Sequence, residues 1–105
     1  MALIDVTITK TSSTVCTVSP KPVRLTMGVD DIRWINLTGS KVVLFFPHDS
    51  VLGNDPHFHQ TIPDQKRHLR SGPDIGTTPG TYKYAIYCHE TKTFAVGSDP
   101  EIIVQ

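Results

Sequence analysis

Cys88-His89 is the only place in this chain where a thiol and an imidazole stand side by side. Such a pair could supply two soft ligands to a metal, or a nucleophile with its base. Both uses meet one objection. The residues leading to Cys88 alternate as a strand, and neighbours on a strand point to opposite faces. Cys88 and His89 meet one ion, or one another, only if the strand breaks between them. His57-Phe58-His59 is a second candidate, because in an extended segment both rings share a face. That spacing suits a divalent ion, and His48, Asp49 and Asp55 stand near it in sequence. The plainer reading is a polar loop rich in histidine, which the residues favour. Lys66-Arg67-His68 with Arg70 forms a small basic cluster between Asp64 and Asp74. Without a glycine-rich loop or helix start beside it, it reads as a solvated loop rather than a phosphate site. No Gly-x-Ser-x-Gly elbow, His-Glu-x-x-His or phosphate loop occurs, and neither Glu90 nor Glu101 adjoins a second carboxylate. Nothing here points to an enzyme.

The elements that must position these residues are strands. The 105 residues suffice for one domain over 1–105 and leave no room for a second core. With 38% hydrophobic and 19% charged residues the chain should fold. Ten basic residues balance ten acidic ones, so charge gives no reason to expect nucleic acid or an anionic membrane as partner. No apolar run approaches the ~20 residues of a membrane span. The N-terminus enters strand-like alternation directly, without a signal peptide. The expected location is the cytoplasm as the sequence stands, or the periplasm or exterior if a leader has been removed. Two cysteines, Cys16 and Cys88, are too few for a disulfide framework.

Ile4, Val6 and Ile8 alternate with Asp5, Thr7 and Thr9, the period of a half-buried strand. Val15 to Val18 is extended again, and Pro20 and Pro22 suit an edge or a crossing between sheets. Val23, Leu25 and Met27 alternate up to Gly28, with Met27 assigned to the core. Ile32 to Asn36 carries the only tryptophan, Trp34. Val42 to Phe46 is apolar on both faces, as in a strand covered on both sides. From His48 to Pro73 the pattern weakens, and 64–70 alone admits one short helix. After the turn at Pro79-Gly80, Tyr82, Tyr84, Ile86 and Cys88 share one face and Lys83, Ala85, Tyr87 and His89 the other. Two extended segments, Phe94 to Val96 and Ile102 to Val104, close the chain. About seven or eight short strands at this spacing predict an all-β sandwich of two sheets.

Three blocks of residues then resemble a family. Pro20-x-x-Val23-x-Leu25-x-Met27-Gly28, Ile32-x-Trp34-x-Asn36, and Pro79-Gly80-Thr81-Tyr82-x-Tyr84-x-x-Tyr87-Cys88 look like the frame of a cupredoxin, and Asp99 to Val104 is similar to its last strand. The resemblance implies a Greek-key β-sandwich, in a family best known for blue-copper electron transfer. Its type 1 site needs two histidines, a cysteine and usually a weak axial methionine. The first histidine belongs a few residues after the asparagine, where Leu37 to Lys41 has none. The second histidine and the methionine belong shortly after the cysteine, where Glu90 to Val96 has neither. Only Cys88 remains by position. His48, across a strand from Lys41, would build a different site. The resemblance also brings Cys16 toward Cys88, as two inert buried thiols by default or as a disulfide if the geometry permits.

The expectation is therefore a non-catalytic cupredoxin-like binding or structural module with no functional type 1 site, no cofactor and an unidentified protein partner. It should carry an apolar patch near Phe94, Val96 and Cys16, where the copper end would lie. The alternative is a metal-binding protein, possessing copper on Cys88 with relocated histidines such as His89, or a divalent ion at His57/His59 with His48, and serving electron transfer.

Overall fold

A computed structural model describes residues 2–19, 22–46, 59–70, 72–73, 78–95 and 101–105, with Ala2 and Pro22 as backbone only. Within these residues the chain forms β1 (Ala2–Lys10), β2 (Cys16–Ser19), β3 (Pro22–Leu25), β4 (Asp30–Leu37), β5 (Val42–Phe45), β6 (His59–Ile62), β7 (Arg67–Arg70), β8 (Gly80–Lys83), β9 (Ala85–Cys88), β10 (Thr93–Phe94) and β11 (Glu101–Val104). The first sheet has the order β2-β1-β4-β7, the second β10-β9-β5-β6, and the third β3-β11-β8. β1 pairs parallel with β4, and β3 with β11, so these partners are reached by crossovers rather than hairpins. β8 runs into β9 through Tyr84, which joins the third sheet to the second. The result is the all-β sandwich that alternation predicts, but among the described residues it has eleven strands rather than seven or eight, in three hydrogen-bonded sheets rather than two.

The core follows from that alternation. Val6 and Ile8 of β1, Ile32 and Trp34 of β4, Val42 and Leu44 of β5, Ile86 of β9, and Ile102 and Val104 of β11 are buried together. Met27 packs against them, partly buried. Tyr84, Ile86 and Cys88 are buried whereas Lys83 is exposed, as the two-residue period requires. β5 is covered on one face only. Phe45 is exposed, so an all-apolar strand here signals an uncovered outer face rather than a strand buried twice.

The segment 64–70 is a turn and a strand, not a helix. Lys66 N–H donates to the Pro63 carbonyl, Gln65 adopts a left-handed φ of 63°, and β7 then pairs antiparallel with β4, placing Trp34 opposite His68. A helix would leave the edge of β4 unpaired, and the ladder supplies those hydrogen bonds instead. The basic cluster is likewise a strand from Arg67 onward rather than a loop, solvated at Lys66 and Arg67 but not at Arg70. Arg70 is buried, its guanidinium lies 4.3 Å from the centre of the Phe46 ring, and its Nε donates to His68 Nε2 at 3.2 Å.

Trp34 anchors the centre, with Phe46 and Tyr84 ring centres at 5.6 and 5.9 Å. Its indole Nε1–H donates to the Tyr84 hydroxyl at 3.3 Å. Burial pushes the Tyr84 phenol up to about 12, against a smaller opposing effect of the Trp34 hydrogen bond. The unfolded phenol loses its proton near pH 10, so between pH 10 and 12 the folded state binds the extra proton. Stability is fully present below pH 10 and falls across that window, by about 2–3 kcal/mol from this group. Denaturant unfolding at pH 10 and 12, compared with Tyr84→Phe, checks it. The wild type should show the larger alkaline loss.

At the opposite end from the cysteines, Gly72 N–H donates to Asp31 Oδ1 at 2.9 Å. A Cβ on Gly72 would collide with the Asp30 backbone carbonyl. Gly72→Ala is expected to cost about 1–3 kcal/mol, read from its denaturation midpoint, because backbone cannot swing aside as a side chain can.

Candidate functional site

Cys88 is the last residue of β9, opposite Val42 of β5 and Thr93 of β10. Cys16 is the first residue of β2, opposite Lys10 of β1. The two belong to different sheets, and their side chains both point into the space between. They form a disulfide, with Cα atoms 6.6 Å apart and 72 residues of sequence separation. Neither residue is exposed. The expectation of two unpaired thiols is thus corrected, while the expected approach of Cys16 to Cys88 holds. Geometry decided it: the Cα separation lies inside the range a bridge can span.

The surrounding end of the sandwich is polar. Asn36 is completely buried at its centre. Its amide Nδ2 donates to the carbonyls of Ser40 and Ile62 at 2.8 and 2.9 Å and lies 3.2 Å from that of Pro63. Its Oδ1 accepts from Thr38 N–H at 3.0 Å. The Thr38 hydroxyl lies 2.8 Å from Asn36 Oδ1 and 2.9 Å from the Ser40 carbonyl, with one proton to give. Gly39 N–H donates to Asp64 Oδ1 at 3.0 Å. Lys10 Nζ meets Glu90 Oε1 at 3.2 Å across the rim. Thr93 Oγ1 lies 2.8 Å from the Thr91 hydroxyl and donates to the Thr14 carbonyl at 3.2 Å. Asn36-Leu37-Thr38 has the spacing of a glycosylation acceptor, but its amide is consumed inside the fold.

Four residues, His89 to Lys92, join β9 to β10, and Lys92 takes a left-handed φ of 57° to close the turn. The His89 N–H donates to the Lys41 carbonyl, which prolongs the ladder past Cys88. The strand therefore does not break between the two residues. The His89 ring packs edge-on against Tyr87, ring centres 5.1 Å apart, on the outer face of the sheet. Cys88 faces inward. Among the described residues around Cys88, the sulfur is bonded to a second sulfur, the adjacent imidazole faces away, and the turn has no methionine. Among the described residues no three His, Cys, Asp or Glu side chains gather as a metal cluster. His59 is exposed at the start of β6; His48 and His57 lie outside the described residues.

Of the residues expected in the apolar patch, Phe94 and Cys16 are described. Phe94 is 54% exposed, but it lies on the outer face of the second sheet rather than over the end. Its ring centre is 5.2 Å from Tyr87 and 6.3 Å from Phe45. Val96 lies outside the described residues, and Cys16 is interior. The sequence singled out Phe94 but not Tyr87 or Phe45. The signal was available: both fall on the face opposite the buried residues of their strands.

No family model matches this sequence, and no curated protein matches it. Solved structures do match in fold. The Cu(I) form of an amicyanin point mutant superposes with a TM-score of 0.63 at 20% identity, covering 97% of this chain and 81% of that one. A purple cupredoxin from Nitrosopumilus maritimus gives 0.64 at 15% identity, covering 97% and 99%. A second amicyanin mutant, in its reduced Cu(I) form at pH 4, gives 0.61 at 19% identity, covering 97% and 81%. This chain is built on the cupredoxin-like fold.

Proposed function

We propose that this chain is a non-catalytic binding or structural module on a cupredoxin-like frame, without a functional type 1 copper centre. One observation carries the reading. Cys88, the residue at the cupredoxin cysteine position, is bonded to Cys16 in the interior. A disulfide sulfur is not a thiolate, and the thiolate is the ligand that holds copper in such centres. The inter-sheet bond instead clamps the two layers. It also favours an oxidising location, outside the cytoplasm, over the cytoplasmic one.

Adding Cu(II) to the purified, oxidised protein tests the reading. The visible spectrum should gain no intense blue thiolate-to-copper band, and its appearance would overturn the proposal. A second reading, a divalent ion at His57 and His59, is supported by the exposure of His59 on the strand β6. Calorimetry with Cu(II), Zn(II) and Ni(II) decides it. Heat that disappears in His57→Ala/His59→Ala supports the site, and no heat, or heat untouched by the substitutions, removes it.

A further inference from the structure

We propose that the outer face of the second sheet is a docking surface for a protein whose contact region is apolar at its centre and acidic at its rim. The inference rests on the binding-module reading and names the chemistry of its partner.

The face is built by register. Phe94 lies opposite Tyr87, Tyr87 opposite Val43, and Phe45 opposite both Ala85 and His59. Alternate residues of a strand share a face, so these side chains all stand on the side away from the core. The rings of Phe45, Phe94, Tyr87 and His89 are contiguous, with neighbouring centres 6.3, 5.2 and 5.1 Å apart. Phe45 and Phe94 remain 40% and 54% exposed. Aromatic residues gathered without charge are the composition of an interface centre rather than of ordinary surface.

The edge of the patch carries charge of one sign. The Lys41 carbonyl accepts from His89 N–H, which continues the ladder and sets Lys41 on the same face as Val43 and Phe45. Lys92 stands in the turn beside β10. Both are exposed. Glu90, in the same turn, is drawn away to Lys10 on the end of the sandwich. Among the described residues the face thus has an apolar centre and a basic margin. A second copy meeting it through the same face would, among the described residues, offer the centre but no acid to face Lys41 or Lys92. A single-stranded nucleic acid would offer the charge, but these rings stand at 55°, 74° and 88° to one another and make no platform for successive bases. An acidic-rimmed apolar protein surface satisfies both features. In such a contact the rings supply affinity and the lysines steer the approach.

Two synthetic extended peptides test this against the isotope-labelled full chain by NMR. Each has alternating Leu and Phe at its centre, one with glutamates at both ends and one with lysines. The glutamate peptide should shift amides of β5, β9, β10, Lys41 and Lys92, and bind about tenfold or more tightly than the lysine peptide. Lys41→Glu/Lys92→Glu should invert that order. Phe94→Ser should weaken both peptides about tenfold with unchanged thermal unfolding, since the ring is not in the core. The proposal is overturned if neither peptide shifts the face at millimolar concentration, or if both bind equally. It is also overturned if the same amides shift with protein concentration alone, which would mean a second copy, or if oligothymidylate binds the face more tightly than the glutamate peptide. A blue copper band would sink the proposed function while leaving shifts at the face in place. Missing shifts without a blue band would sink only the docking surface.

Discussion

Replacing both cysteines, Cys16→Ala with Cys88→Ala, is expected to remove about 4 kcal/mol of stability. The bond closes a loop with a sequence separation of 72, and its main effect in the chain-entropy description is to restrict the unfolded state. For a domain near this size that corresponds to a fall in melting temperature of about 15–30 °C. Since domains hold only about 5–15 kcal/mol in total, the loss would leave the fold marginal at best. Reduction of the wild type under denaturant should reproduce the effect, and the double variant should be insensitive to reductant. A loss under about 1 kcal/mol would mean that the bond does not restrict the unfolded chain as the chain-entropy description requires. The two single substitutions are expected to behave alike. Each single substitution leaves a buried thiol with no partner and should destabilise nearly as much as the pair.

Asn36→Leu is expected to cost about 3 kcal/mol with little change of volume. The substitution removes the amide that serves the Ser40 and Ile62 carbonyls and the oxygen that accepts from Thr38 N–H. Each buried group left without a partner costs roughly 1–3 kcal/mol, partly recovered by the apolar side chain. Asn36→Asp should be no milder. Its carboxylate keeps the acceptor for Thr38 but faces two carbonyl oxygens with no donor. Urea unfolding measures both. The leucine variant should also unfold with faster amide exchange at Thr38 and Gly39, because the asparagine is what ties that loop to the end of β6. An unchanged midpoint for Asn36→Leu would show that the network adds nothing beyond packing.

Much of the fold was legible because strands announce themselves by a two-residue period. Ile4-Val6-Ile8 and Tyr84-Ile86-Cys88 are read correctly from residue type alone, all of them buried as parity requires except Ile4, which is partly buried. The segment 64–70 was not legible. Its seven residues hold mostly long polar side chains that suit a helix as well as a strand, and only the neighbouring edge of β4 selects the strand. Local preference was weak there, and long-range pairing decided.

The site divides in the same way. That Leu37 to Lys41 and Glu90 to Val96 lack the ligands a type 1 centre needs is visible by position. That Cys88 bonds to Cys16 is not, because a disulfide depends on a separation in space across two sheets, and spacing in sequence does not encode it. Asn36 shows the same limit. A lone asparagine at a strand end carries no mark of the three backbone carbonyls that surround it. The aromatic face was partly legible: parity places Tyr87 and His89 outward, but an apolar Val42 to Phe46 reads as covered on both sides until the structure shows Phe45 exposed.

Counting thiols in the purified protein tests the account most directly. The chain is unfolded in denaturant without reductant, treated with iodoacetamide and weighed intact. The disulfide predicts no alkylation, and two alkylated cysteines once reductant is added. Two labels without reductant, together with a blue colour on adding copper, would contradict it and return Cys88 to the role of a metal ligand.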